Sequence, residues 1–354
     1  MALPIARLVQ SRFAAIWMAL AALILVTLAI GPSTLNESSL STVTPLAAVL
    51  AIAAFGQTLV IMTGGIDLSI PSVMTMVGIV LLKVSGGTDD NLVKAIVLVL
   101  AASALIGFVD GVLITMFGLN ALVVTLAMGQ LVLGITLWYR GALLAESEVP
   151  PTLARWAGEK VYVFSYFVFV ALVLLVLLTI ALHHTPAGRR FVATGTNPTA
   201  AAVAGVRVRA YQIGAYTVAS LFYGVAGLLL ASFVRSPGED LGGPYLLATV
   251  VVVVLGGASL AGGPASFVAT AGGVIFIVVL NQLLRVKGLS TGYQVLTQGI
   301  VLALGMAFLA GVKGASSPAV LMRNVRRFFG GSGAGRAAGH DEMRGGDGRG
   351  VPAN

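Results

Sequence analysis

The chain has 354 residues, 58% of them apolar and 10% charged, with a mean hydropathy of +0.99. A soluble domain carries about 25% charged residues, so this composition cannot cover a water-facing surface and places the chain in lipid. Lys and Arg number 21 against 13 Asp and Glu, a net charge of +8, and there is no cysteine; that excludes a disulfide framework, iron–sulfur ligation by Cys and thiol catalysis.

About 20 apolar residues span the hydrocarbon core as a helix. In chain order, long apolar stretches run over 14–31, 44–63, 95–117, 121–139, 161–182, 211–233 and 292–312. Residues 241–284 form one further charge-free run, too long for a single crossing, and Gly256-Gly257-Ala258-Ser259-Leu260-Ala261-Gly262-Gly263-Pro264 interrupts it. That interruption predicts two helices. The pieces 68–82 and 244–258 are short for a full crossing. The sum is an all-α integral membrane protein of about ten transmembrane helices, two of them short or broken.

The sign of charge supports that count. With the N-terminus inside, the cytoplasmic pieces hold Arg7, Arg12, Arg189, Arg190, Arg207, Arg209, Lys313 and six arginines of the tail, 13 of the 21 basic residues. The other eight share the opposite side with eight acids, Glu37, Asp89, Asp90, Glu146, Glu148, Glu159, Glu239 and Asp240. Positive charge inside thus predicts both termini in the cytoplasm. It also accounts for the basic excess, so no nucleic acid is expected as a partner. Arg7 and Arg12 before an apolar run resemble a signal peptide, but no small-x-small site closes the run before Gly31-Pro32; an uncleaved first helix is expected. The domain reading is a cytoplasmic N-terminus over 1–13, a polytopic domain over 14–312 with an internal loop at 184–210, and a basic Gly/Arg-rich tail over 313–354, expected to be disordered.

Templates of soluble catalysis fail. His183, His184 and His340 have no metal-ligand spacing, and none of the five lysines sits in a phosphate-cradling G-x-x-x-x-G-K-[ST]. No catalytic residue and no metal site is assigned, no cofactor is expected on the chain, and it has no nucleotide motif with which to drive transport by itself.

Three constellations remain. In Met62-Thr63-Gly64-Gly65-Ile66-Asp67-Leu68-Ser69-Ile70-Pro71 an acid lies between two apolar runs. Read structurally, the glycines end one helix, Ser69 caps the next and Pro71 falls in its first turn. Read functionally, it is a broken-helix site that touches the solute or its gate, since intramembrane acids are costly. Both readings stand together. In the internal loop, Asn197 suits an N-cap, Pro198 the first helical position, Ala200 and Ala201 the body and Gly205 the stop. A short, independently capped cytoplasmic helix follows, flanked by arginine pairs and suited either to supplying inside charge or to docking a partner. The third set comprises polar residues within crossings, Gln57, Thr58, Asp110, Asn120, Thr125, Gln130, Asn281, Gln282, Gln294, Thr297 and Gln298. Interhelical hydrogen bonds explain part of such a set; the rest suits a path for an uncharged, hydroxyl-rich solute better than one for an ion. Phe222, Tyr223 and Phe276 suit either sugar stacking or helix packing.

At these motifs the sequence resembles the permease subunits of bacterial ABC sugar importers, the family of the ribose, xylose, arabinose and galactoside permeases. The matching pieces are Thr63-Gly64-Gly65-Ile66-Asp67-Leu68-Ser69, Asn120-Ala121-Leu122-Val123-Val124-Thr125-Leu126, Gly188-Arg189, Gly195-Thr196-Asn197, Ala200-Ala201 through Gly205, Gly256-Gly257 with Gly262-Gly263-Pro264, and Asn281, in family order over residues 44–312. Three departures stand out: Pro71, where the family commonly has Gly, Thr199, where it frequently has an acid, and the Gly/Arg-rich tail, which is an addition.

The resemblance implies a bacterial inner-membrane pore of two permease chains, identical or related, with two cytoplasmic ATPase subunits that bind ATP and Mg and a periplasmic sugar-binding protein that delivers the solute. It implies a translocation path or gate at Gln57, Thr58, Gly64, Gly65, Asp67, Ser69, Asn120, Thr125 and Asn281. Coupling to the ATPase falls on Gly188, Arg189, Gly195, Asn197, Ala200, Ala201 and Gly205. A permease for branched-chain amino acids or urea is the alternative within the wider superfamily; an ion-coupled secondary carrier is disfavoured, because Asp67 and Asp110 alone offer no carboxylate or His relay.

Overall fold

Asn36 begins the first long buried helix by accepting a 2.9 Å hydrogen bond from the Ser39 amide, and Glu37 follows where a helix dipole favours an acid. In the computed structural model, residues 13, 15–141 and 148–314 are described. Their helices are α1 (Ala15–Ile30), α2 (Glu37–Met62), α3 (Ile70–Ser85), α4 (Leu92–Met116), α5 (Ala121–Arg140), α6 (Pro151–Gly158) and α7 (Tyr166–His184). Then come α8 (Pro186–Thr196), α9 (Pro198–Val203), α10 (Val208–Val234), α11 (Tyr245–Leu255), α12 (Phe267–Val286) and α13 (Thr291–Gly314). Helices α2, α4, α5, α7, α10 and α12 are long and apolar enough to cross a membrane; α1, α3 and α11 are shorter.

Every residue of α2 from Ala48 to Met62 is buried. It forms the axis of the unit that reaches Met306, with α7, α10, α11 and α12 packed around it. Outer helices behave differently. Val93, Val97 and Leu105 of α4 and Val123, Leu131 and Ile135 of α5 stand exposed, as lipid-facing residues must.

Small residues set the closest approaches. Ser103, Gly107 and Gly111 recur every fourth residue on α4; Gly107 lies against the Tyr216 carbonyl and Gly111 against Ile213 of α10. Ser220 on α10 closes the seam by donating to the Ser103 carbonyl at 2.7 Å. Gly56 brings α2 onto Ala219 and Tyr223, and Gly227 brings α10 onto Met74 of α3. This is close backbone packing through small residues, the means by which helices associate in lipid.

Several expectations change in detail. The stretch 161–182 does not begin as helix: Lys160–Val161 and Phe164–Ser165 form a two-stranded antiparallel hairpin, and Ser165 then caps α7 by accepting from the Phe167 amide. The internal loop 184–210 is largely helical. The charge-free run 241–284 does break at its glycines, into α11 and α12. The N-terminal 1–12 and the tail beyond 314 lie outside the described residues.

Connections meet in two groups. At one end Arg140 pairs with Glu239, Lys83 donates to the Tyr139 carbonyl, Thr152 donates to Asp89 at 2.7 Å, and the Val149 amide donates to the Arg235 carbonyl at 2.9 Å. The 62–69 and 259–264 connections meet the end of α8 in the other group.

Candidate functional site

The connection from α2 to α3 turns on Gly64, whose φ of +84° is reached readily by glycine. Gly65 follows with no side chain, and the Tyr216 hydroxyl occupies the space a Cβ would need. Asp67, wholly buried, then starts α3: one carboxylate oxygen accepts from the Ser69 amide at 2.9 Å and from the Ser69 hydroxyl at 2.7 Å. Ser69 is the N-cap residue of α3, as expected, and Asp67 holds it in an Asx turn. Ser69 makes no capping bond to α3, because its hydroxyl is used on Asp67, while Pro71 does occupy the first turn, where no amide hydrogen is missed. The other Asp67 oxygen has no hydrogen-bond partner, and neither has either oxygen of buried Asp110, on α4 between Gly107 and Gly111.

Thr125 clips this connection to α5. Its hydroxyl donates to the Ala121 carbonyl at 2.8 Å and accepts from the Leu68 amide at 3.0 Å. Asn120 is exposed at the start of α5 and caps it by accepting from the Leu122 amide at 2.9 Å.

Gln57 and Thr58 lie on buried α2. Tyr223 donates to Gln57 Oε1 at 2.9 Å, and Thr58 donates to the Ala54 carbonyl while approaching Thr270 of α12 at 3.3 Å. The Gln57 amide nitrogen has no partner. Asn281, half-buried with its carbonyl oxygen unpartnered, stands eleven residues beyond Thr270 on the same helix, roughly 16 Å along the axis. It does not join Gln57 and Thr58. Thr270 and Tyr223 thus carry polar contacts of the core; Tyr223 was legible only as an aromatic, and no local pattern marked Thr270.

The internal segment forms α8 and α9 end to end. Thr185 caps α8 by accepting from the Gly188 amide at 3.0 Å. Asn197 closes α8 and caps α9, accepting from the Ala200 amide at 3.0 Å. At the other end of α9 Gly205, φ +82°, donates to the Ala202 carbonyl and Val206 to the Ala201 carbonyl, the paired bonds of a Schellman stop.

The coupling residues divide by orientation. Arg189, Asn197, Ala200 and Gly205 are exposed, and Ala201 is buried beneath α9. Gly188 and Gly195 face the protein itself. Gly188 packs on the carbonyls of Ala181 and Leu182, and Gly195 on the carbonyl of Met62. The absence of a side chain at each admits neighbouring backbone, so both contacts are within the chain.

Apolar helices around a buried axis, broken at glycines, define a multi-pass membrane protein. A family model described as "Branched-chain amino acid transport system / permease component" matches residues 39–312, and the chain belongs to that family of ABC importer permeases. The Ribose import permease protein RbsC of Bacillus subtilis (strain 168) is 32% identical over 291 residues, covering 80% of this chain and 88% of the relative. RbsC of Escherichia coli (strain K12) is 30% identical over 291 residues, covering 81% and 90%. The Fructose import permease protein FrcC of Rhizobium meliloti is 28% identical over 267 residues, covering 73% and 74%. No solved structure matches. The chain is a transporter membrane component and not itself an enzyme.

Proposed function

We propose that this chain is the membrane subunit of an ATP-binding-cassette importer for a monosaccharide or a similar neutral, polyhydroxylated solute. The observation that carries the substrate class is the match, over 80% of the chain, to a subunit named for ribose import. In this reading the chain crosses the bacterial inner membrane ten times with both termini in the cytoplasm, the 313–354 tail among the cytoplasmic parts. It pairs with a second permease, identical or related. A periplasmic binding protein delivers the solute, and separate cytoplasmic ATPase subunits hold ATP and Mg.

Coupling follows from α8 and α9. The segment 184–210 carries Arg189, Arg190, Arg207 and Arg209 and no acid, and α9 presents Thr199, Ala202 and Val203 outward. These short side chains have little rotamer entropy to lose on docking. Closure of the ATPase displaces α8 and α9, and the helices around Gln57, Thr58 and Asp67 switch the open side of the path.

The alternative substrate class, branched-chain amino acids, is favoured by the wording of the family description. Co-expression with the cognate ATPase and binding protein, followed by uptake into vesicles, separates the readings. Expected is co-purification of a nucleotide-binding subunit and ATP-dependent uptake of a pentose or hexose. Uptake of leucine in its place supports the alternative; accumulation of solute by vesicles holding this chain alone refutes both.

A further inference from the structure

We propose that Gly195, Met62 and Gly263 form a stiff backbone joint through which displacement of α8–α9 passes into α2 and α12 together; this rests on the importer reading above. Three segments distant in sequence meet at this point: the last residue of α2, the last turn of α8, and the connection between α11 and α12. Met62 lies at the end of α2, where helix carbonyls have no partner within the helix. Its carbonyl accepts from the Gly263 amide at 3.0 Å. Gly195 covers the same carbonyl, and a Cβ on Gly195 would overlap it. A Cβ on Gly262 would lie 3.0 Å from the Gly195 carbonyl oxygen and 3.1 Å from the Gly64 amide nitrogen. Gly64, Gly262 and Gly263 have φ of +84°, +89° and +108°, a region that disfavours side chains.

The contact is therefore backbone on backbone. A side-chain contact absorbs a small displacement by changing rotamer; packed main chain has no such freedom and transmits it. Helix α8 is held at its other end too, where Gly188 sits on the Ala181 and Leu182 carbonyls. Beyond the joint, α2 and α12 are already tied, by Thr58 to Thr270 at 3.3 Å and by the Phe55 and Phe267 rings, edge to face at 5.9 Å. A push on α8 consequently reaches two gate-bearing helices as one body.

The cysteine-free chain allows a direct test in the full complex. Nitroxide labels on Thr196→Cys and Ala261→Cys, both exposed positions beside the joint, report its rigidity; labels on Thr196→Cys and Leu119→Cys report movement of α8 against the α4–α5 turn. ATP-dependent uptake by the labelled complex is confirmed first, so that failure of the importer reading shows itself separately. Expected is an unchanged Thr196–Ala261 distance between nucleotide-free and ATP-trapped states, with a changed Thr196–Leu119 distance. A Thr196–Ala261 distance that changes during transport, or two distances that both stay fixed, overturns the joint. Gly195→Ala should keep the ATPase bound and hydrolysing while transport per ATP falls about tenfold, within the range of site-to-site coupling; normal coupling in that variant also overturns it.

Discussion

Asp67 is the residue whose role sequence and structure describe most differently. The motif Gly64-Gly65-Ile66-Asp67-Leu68-Ser69 marks a helix start, and a start is there with Ser69 at the N-cap, but the serine hydroxyl serves the acid, which holds the turn before the helix. Asp67→Ala removes both acceptor bonds and should lower stability by about 1–3 kcal/mol, the usual cost of leaving buried donors unpaired. Asp67→Asn keeps an acceptor for those donors and should cost less than about 1 kcal/mol by the same reasoning. Thermal unfolding in detergent compares the two; an Asn variant as unstable as the Ala variant refutes the role of Asp67 as acceptor for Ser69. Other side chains were legible as polar and buried but not as partners. Gln57 meets Tyr223, and Thr58 meets Thr270, across sequence separations of 166 and 212 residues. No local pattern encodes such a pairing.

At the scale of elements, caps and stops were readable because their chemistry is local. Asn197, Pro198 and Gly205 mark α9, and every bond needed to close it lies within that stretch. Helix α8 is not legible in the sequence, where its residues read as loop. Its glycines lower helix propensity, and what holds it is packing of Gly188, Phe191 and Thr194 against the rest of the chain. The Ser103, Gly107, Gly111 spacing on α4, absent from the sequence reading above, is a small-residue pattern of the kind that packs helices in lipid, though it does not give the identity of its partner, α10. Gly107→Val forces a side chain into the Tyr216 carbonyl and Ser220, and should destabilise by about 1–3 kcal/mol as overpacking does. The same change at Gly134, which has open space around it, should shift stability by less than about 0.5 kcal/mol. Melting temperatures of the two variants check this, and equal losses would show that helix propensity alone is responsible.

For the whole molecule, the charge pattern and the contacts sort the connections in the same way. Residues assigned to one face by counting charges, Lys83, Asp89, Arg140, Arg235 and Glu239, do meet at one end. The proposed orientation makes a further prediction. A membrane-impermeant maleimide should label Asp90→Cys in intact spheroplasts and Thr199→Cys only in inverted vesicles, since α4, α5 and α7 lie between them. Labelling of both from one side breaks the crossing count; the reverse pattern inverts the topology.

Composition and apolar run length by themselves determined that the chain lives in lipid, where its long apolar helices lie and that the 241–284 run breaks at its glycines, because each of those depends on the solvent and on neighbouring residues. Tertiary structure alone decided that α2 is the buried axis while the more apolar α4 and α7 are largely exposed, and that glycines near 64, 195 and 262 meet at one point. Lipid is as apolar as a protein core, so hydropathy cannot rank helices by depth, and a glycine's closest neighbour is set by the packing of distant chain segments.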